Sequence, residues 1–528
     1  MSRFSNWSNE KLAAQMIFPR LNCDDYLSNS EYSTDIKNTV KKGVGGFCIF
    51  QGNTATVSNI TSELQAIAEI PLLFCADFEN GITMRLEDGT AFPHAMAMGK
   101  TGDYIKKIST SIANESKDLG VLWNLAPVCD INSNPDNPVI NIRSFGETAD
   151  LVSKSIVDYI SATQKENILS CAKHFPGHGN TKTDSHIEFP VVNKSIDELE
   201  QMELKPFVAA ISVGVKSIML GHLIVPSIDK NYPASLSKKT VEFLRNKLNY
   251  NGIILTDALD MSSIFKKFSL VEIIELAFNA GNDIIFMPEN PVLAIDVLSN
   301  YIKNNSELKN QVYNSINRIY NAKRWAGLIP FYSKNISKTK VFLEHPKLAL
   351  RAALQAVEVI DTCSNSELNA SDSYNKYNKL LPIPDDELFA AFSILQKAED
   401  LQAATRFYTM LGQATSEQEC DYAYLDENIT EEEILEMQKS VSDAKFIIFA
   451  FFYKGRGYSN SLSNTSKLNN IMNKIANGKN IISIFFGDPY MAKSICGDKI
   501  KILAYSDSFP SLAAVVMKLT GRSLPDTY

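Results

Sequence analysis

The chain has 528 residues, 45% of them hydrophobic, 10% aromatic and 21% charged, with 52 Lys and Arg against 60 Asp and Glu for a formal charge of −8. These ordinary globular proportions exclude a disordered, collagen-like or supercharged chain. No long basic run occurs, which excludes an electrostatic footprint for nucleic acid or anionic lipid and points to a small, neutral or mildly charged substrate.

In chain order, the opening MSRFSNWSNEKLAAQ has no apolar signal core. No stretch reaches the roughly 18 apolar residues of a membrane span. The expectation is no membrane association and a cytoplasmic location, with a periplasmic or secreted one if a signal was trimmed. Short apolar runs then recur at Gln15–Arg20, Gly46–Phe50, Pro71–Ala76, Val121–Val128, Ile168–His174, Ser217–His222, Gly252–Thr256 and Asp283–Met287. Between them lie stretches with helical spacing, near 31–42, 54–69, 103–119, 150–166, 196–214, 235–249, 269–280 and 291–304. Strands alternating with amphipathic helices imply parallel pairing through right-handed crossovers. Eight such units predict a (β/α)8 barrel, the TIM-barrel form of the α/β class. The alternative is a doubly wound sheet with inserts.

A further helix is predicted near 309–326, followed by Gly327, Pro330 and a polar stretch ending near His345. The expected division is a barrel over 1–335, a linker over 336–350 and a smaller α/β domain over 351–528. The second domain carries strand-like runs at Val357–Ile360, Phe446–Phe452, Ile481–Phe486 and Lys501–Tyr505, and a loop-like polar region over 361–376. The eight cysteines include no C-x-x-C pair, and Cys48, Cys75, Cys129 and Cys171 fall in or beside apolar runs. They read as buried reduced thiols and not as a disulfide frame or zinc site.

In a barrel, polar residues at the C-terminal ends of the strands build the site. The densest such cluster is Lys173-His174-Phe175-Pro176-Gly177-His178-Gly179-Asn180-Thr181, followed by Asp184-Ser185-His186. Three of the six histidines fall in it. His174 and His178 have H-x-x-x-H spacing, which on a helix would suit zinc, but Pro176, Gly177 and Gly179 oppose a helix there. A glycine-rich loop with incidental polar residues is the plain alternative. Asp184 and His186, two apart in an extended segment, point the same way. A carboxylate on one ring nitrogen fixes the tautomer and leaves the other nitrogen free to move a proton near neutral pH.

Asp257 directly follows the run Gly252–Thr256 and is a candidate carboxylate aimed into the barrel mouth. Its alternative role is a helix N-cap. Asp260 lies three residues on, so Asp257 is preferred. Asp77, Arg85 and Arg143 follow other strand ends, where they could bind hydroxyls, an amide or a carboxylate. Surface ion pairing is their alternative.

Taken together, KHFPGHG with the following D-S-H, the segment Arg245-Asn-Lys-Leu-Asn-Tyr-Asn-Gly252-Ile-Ile-Leu-Thr-Asp257, VINIRSFG and LAPVCDIN resemble glycoside hydrolase family 3, in its β-N-acetylhexosaminidase branch. The resemblance covers most of residues 10–330. Beyond 347, Ile484-Phe-Phe-Gly487-Asp-Pro489-Tyr490 and Ile502-Leu-Ala-Tyr505-Ser look like strands of the family's α/β sandwich domain.

The resemblance implies that Asp257 is the nucleophile, His186 the acid/base and Asp184 its orienting partner. Lys173, His174, Arg143, Asp77 and Arg85 fall where the branch contacts the N-acetylglucosamine ring, and His222 sits at the next strand end as a pocket residue. It implies retaining hydrolysis of a terminal β-linked N-acetylglucosaminide through a covalent glycosyl-enzyme, with no cofactor and no metal. Phosphorolysis, a β-glucosidase of the same family, a non-catalytic sugar-binding barrel and a Schiff-base aldolase using Lys173 are the alternatives. The partner expected is a small-molecule glycoside; muropeptides, chitin fragments and glycoprotein remnants share the terminal sugar. One departure stands out. Where the branch often reads D-Q-E-G-G-R-V-Q-R, this chain has Asp77-Phe-Glu-Asn80-Gly-Ile82-Thr-Met-Arg85, which alters the pocket rim.

Overall fold

The computed structural model describes residues 3–181, 189–330, 342–362, 381–384, 387–396, 398–415, 422–425, 429–454 and 465–523. The chain forms two compact units, Met1–Thr90 with Asp103–Leu343, and Ala91–Gly102 with Glu344–Tyr528. The division is therefore not contiguous in sequence.

In the first unit every predicted apolar run contains a strand. These are β1 (Ile17–Phe18), β2 (Arg20–Asn22), β3 (Gly46–Phe50), β4 (Leu73–Ala76), β5 (Val121–Asn124), β6 (Leu169–Phe175), β7 (Ser217–Leu220), β8 (Ile253–Thr256) and β9 (Ile285–Phe286). β2 to β8 pair side by side in sequence order, all parallel. β1 and β2 are one strand broken at Pro19, which has no N–H to give a ladder. The sheet curls and closes through β9. The Thr256 N–H donates to the Ile284 carbonyl at 3.3 Å, and the Ile285 and Met287 N–H groups donate to Met16 and Phe18, each at 2.8 Å. The strands are buried on both faces, as the near-continuous apolar runs require. The (β/α)8 reading stands and the open doubly wound sheet does not.

The barrel interior is filled by large side chains. Trp123 meets Phe18 edge-on at 5.7 Å and donates its indole N–H to Ser217 Oγ at 2.8 Å. Cys23, Cys48, Cys75, Cys129 and Cys171 are buried free thiols, and Cys496 is an exposed one; Cys363 and Cys420 lie outside the described residues. Among the described residues no helix is long and apolar enough to cross a membrane.

The second unit is built on a six-stranded sheet of β10 (Glu358–Asp361), β11 (Phe389–Leu395), β12 (Tyr422–Leu425), β13 (Phe446–Tyr453), β14 (Asn480–Gly487) and β15 (Ile500–Leu503). The order is β10-β15-β14-β13-β11-β12, with only β10 antiparallel to its neighbour. Four of these strands follow predicted runs; β11 and β12 do not. Phenylalanines stack across the central strands, Phe451 on Phe485 and Phe452 on Phe486, each pair at 4.8 Å. The segment Ala91–Gly102 contributes a short helix, Ala95–Gly99, which packs on the helix Glu344–Ala356.

Candidate active site

The C-terminal ends of the barrel strands surround a cavity of about 590 Å³. Asp77, Glu79 and Arg85 follow β4, Arg143 follows β5, Lys173 and His174 end β6, and Asp257 follows β8. All of them line this cavity.

One wall is a chain of alternating charges. Lys173, 2% exposed, sets its ammonium 2.7 Å from Asp77 Oδ1 and 2.8 Å from Glu79 Oε1. Arg143 forks onto the same Glu79, Nε to Oε2 at 3.0 Å and Nη2 to Oε1 at 2.8 Å. Arg85 pairs with Asp77 at the other end. Burial alone would push both carboxyls up. Lys173 and Arg85 outweigh it at Asp77, and Arg143 and Lys173 outweigh it at Glu79, so both sit below the usual carboxylate range. Burial would likewise lower the Lys173 ammonium, but Asp77 and Glu79 raise it instead. Every member is therefore charged at neutral pH, and the wall offers pinned donors and acceptors to hydroxyl groups. A lysine held protonated by two carboxylates is unsuited to Schiff-base formation, which argues against the aldolase alternative.

Asp257 is held where β8 ends. Its N–H donates to the Leu220 carbonyl at 2.9 Å, and its Oδ1 accepts the Ala258 N–H at 2.8 Å. Burial raises its carboxyl, but His174, His222, the Ala258 N–H and Lys173 together bring it below the ordinary aspartate value. It is ionised in the working range. The next helix begins only at Ser262 with Met261 before it, so Asp257 is not an N-cap. Asp260 turns to the rim, where its Oδ2 accepts Arg20 Nη2 at 2.7 Å and Nε at 3.1 Å.

His222 stands behind the wall and does not line the cavity. It is fully buried, with Nδ1 2.7 Å from Ser235 Oγ and Nε2 2.9 Å from the Ala258 carbonyl. A carbonyl only accepts, so Nε2 carries the proton, and the ring fixes the backbone beside Asp257.

His174 and His178 flank the turn after β6, where Gly177 takes φ +131°, a conformation glycine adopts freely. Both converge on Asp130, the polar end of the LAPVCDIN segment. Asp130 Oδ2 lies 2.8 Å from His174 Nδ1 and accepts its N–H at 3.2 Å, while Oδ1 accepts the His178 N–H at 2.6 Å. His178 lies 2.8 Å from Thr181 Oγ1 through Nδ1, and burial pushes its imidazole down to about 4, so the ring is neutral. The two ring centroids are 6.2 Å apart. Among the described residues no three His, Cys, Asp or Glu side chains converge as a metal-binding group. Asp184 and His186 lie outside the described residues.

Sequence reasoning missed Glu79 and Asp130 as working residues. The signal for Glu79 was its place two residues after Asp77, on the same side of an extended segment. Asp130 lay inside a segment already singled out, but nothing local gives it a partner.

The chain matches the family description "Glycosyl hydrolase family 3 N terminal domain" over residues 9–322. It is 37% identical over 273 residues to the Beta-hexosaminidase A of Pseudoalteromonas piscicida, covering 46% of each chain. It is 31% identical over 269 residues to a Beta-hexosaminidase of Nitrosomonas eutropha, covering 48% of this chain and 77% of that one. The match spans about half the length of the Pseudoalteromonas protein. Among solved structures, a family 3 β-N-acetylglucosaminidase from Paenibacillus sp. superposes with a TM-score of 0.81 at 24% identity, covering 98% of this chain and 97% of that one. A β-glucoside phosphorylase superposes at 0.80 with 21% identity, covering 98% and 92%. At these identities the superpositions establish the shared fold, a barrel followed by a second sheet domain.

Proposed function

The chain belongs to glycosyl hydrolase family 3, and on that footing we propose that it removes a terminal β-linked N-acetylglucosamine with retention of configuration. The observation that carries the reading is Asp257, a half-buried, ionised carboxylate at the end of β8 that faces a cavity walled by pinned charges.

In the first step a carboxylate oxygen of Asp257 attacks the anomeric carbon. The bond to the leaving oxygen breaks as His186, oriented by Asp184, gives that oxygen a proton. In the second step His186 takes a proton from water, whose oxygen displaces Asp257 and releases the sugar. A histidine acting as base is neutral, so it repels an anionic acceptor less than a glutamate would. The wall of Asp77, Lys173, Glu79, Arg143 and Arg85 holds the sugar hydroxyls. Its members are held by each other before substrate arrives, so little ordering is left for binding to supply. The names of the sequence relatives favour the hexosaminide over a plain glucoside.

The test is hydrolysis of aryl β-N-acetylglucosaminides and β-glucosides, each with and without phosphate, with product configuration followed by NMR. The expected result is release of the β-anomer of N-acetylglucosamine, and no detectable turnover by Asp257→Ala. A wild-type rate in that variant sinks the nucleophile assignment. A sugar 1-phosphate as the main product replaces hydrolysis with phosphorolysis.

A further inference from the structure

We propose that Asp130 is a positioning residue for this site, setting the tautomer of His174 and anchoring the turn at His178 from which the chain runs on toward Asp184 and His186. The inference rests on the reading above for its catalytic consequence, and on geometry for the rest.

Asp130 is 1% exposed and accepts from three donors, His174 N, His174 Nδ1 and His178 N. Its own backbone is fixed from both sides. The preceding residue, Cys129, donates its N–H to the Lys173 carbonyl at 2.6 Å, and the Asp130 carbonyl accepts Ser144 Oγ at 2.6 Å. The carboxylate is thus a rigid acceptor held against the end of β6. Three donors aimed at one group require an acceptor-only partner, which a carboxylate is and an amide is not.

The consequence for His174 is specific. A proton on Nδ1, facing Asp130, makes Nε2 of the neutral ring a lone-pair acceptor on the cavity side. For His178 the consequence is backbone position. Thr181 Oγ1 lies 2.8 Å from His178 Nδ1 and 3.0 Å from the His178 carbonyl. His178 Nε2 is buried with no hydrogen-bond partner among the described residues. The His178 ring is committed to Thr181, which leaves its backbone N–H as the group that ties the turn to Asp130.

The experiment uses the whole protein with 15N-labelled histidine, together with Asp130→Asn. In the wild type, His174 is expected as the Nδ1–H tautomer. In the variant the amide must turn its NH2 toward either His174 or His178, so one anchor is lost. We expect kcat/KM on aryl β-N-acetylglucosaminides to fall on the order of 10–100-fold, by analogy with the loss of partners that orient metal-ligating imidazoles. The loss should be larger in kcat for poor leaving groups than for activated ones. An Nε2–H tautomer of His174 in the wild type overturns the proposal without any variant, whether or not Asp130→Asn folds. A folded variant with His174 unchanged and equal losses on good and poor leaving groups also overturns it. A wild type inactive on every aryl glycoside would sink the glycosidase reading, while the tautomer measurement would still decide the role of Asp130.

Discussion

Glu79 serves two cations at once, Lys173 and Arg143, and it is the joint of the charged wall. Glu79→Gln keeps the shape and removes the charge, leaving the buried Lys173 with Asp77 alone and the half-buried Arg143 without its carboxylate. The expected outcome is a loss of stability on the order of 3 kcal/mol, as for a broken buried pair, with a rise in KM because both cations face the sugar. Denaturant unfolding and steady-state kinetics on the same preparation read the two effects. The residues of this wall were legible in part. Asp77, Lys173, Arg143 and Arg85 announced themselves as charges at strand ends, where a barrel concentrates chemistry. Glu79 and Asp130 did not, because their significance is a partner contributed by another strand end, and such pairing has no local signature in the chain.

At the scale of elements, the barrel strands were legible because each is buried on both faces and reads as an uninterrupted apolar run. In the second sheet β13 and β14 share that property. The edge strand β12 is only four residues long, and β11 carries Ala390, Ala391 and Ser393 among its bulky residues, so neither stands out against its surroundings. The turn after β6 is set by glycine in a way the sequence only hinted at. A Cβ on Gly179 would lie 1.7 Å from the Ile131 carbonyl oxygen and 2.5 Å from its carbon. Backbone cannot yield as a side chain can, so Gly179→Ala should lose at least the about 1–3 kcal/mol of an overpacked core. The clash falls on the turn after β6 and the Ile131 backbone, not on the strand itself. Activity should therefore fall more steeply than the melting temperature, and a parallel loss of both would contradict a local effect.

At the scale of the whole molecule, a buried lysine whose shift comes from burial alone is informative. Lys323 is fully buried, its ammonium 2.9 Å from Gln15 Oε1, and burial pushes its pKa down to about 7. The unfolded chain holds that proton up to roughly pH 10.4. Between these values the unfolded state binds more protons than the folded one, so this group makes stability rise with pH from about 7 to about 10.4. Lys323→Met removes the penalty and leaves Gln15 its two donations, to the Gly43 and Val44 carbonyls. The variant should be more stable than wild type near pH 7 by on the order of 1–3 kcal/mol, and the advantage should shrink as pH approaches 10. Melting curves across that range decide it, and an advantage that does not change with pH, or that grows as pH rises, would overturn the linkage.

The segment Ala91–Gly102 belongs to the second unit although it is made long before the rest of it. Phe92, Ala97 and Met98 are fully buried in the finished protein. On the ribosome the remainder of that unit begins only with Glu344, roughly 240 residues after Gly102. At about 5–20 residues per second that is a delay of tens of seconds. During it the segment's apolar side chains are made without the rest of the unit that they belong to. The same geometry means that no single cut separates the units, since a barrel ended at Leu343 would carry an apolar splint with nothing to bind.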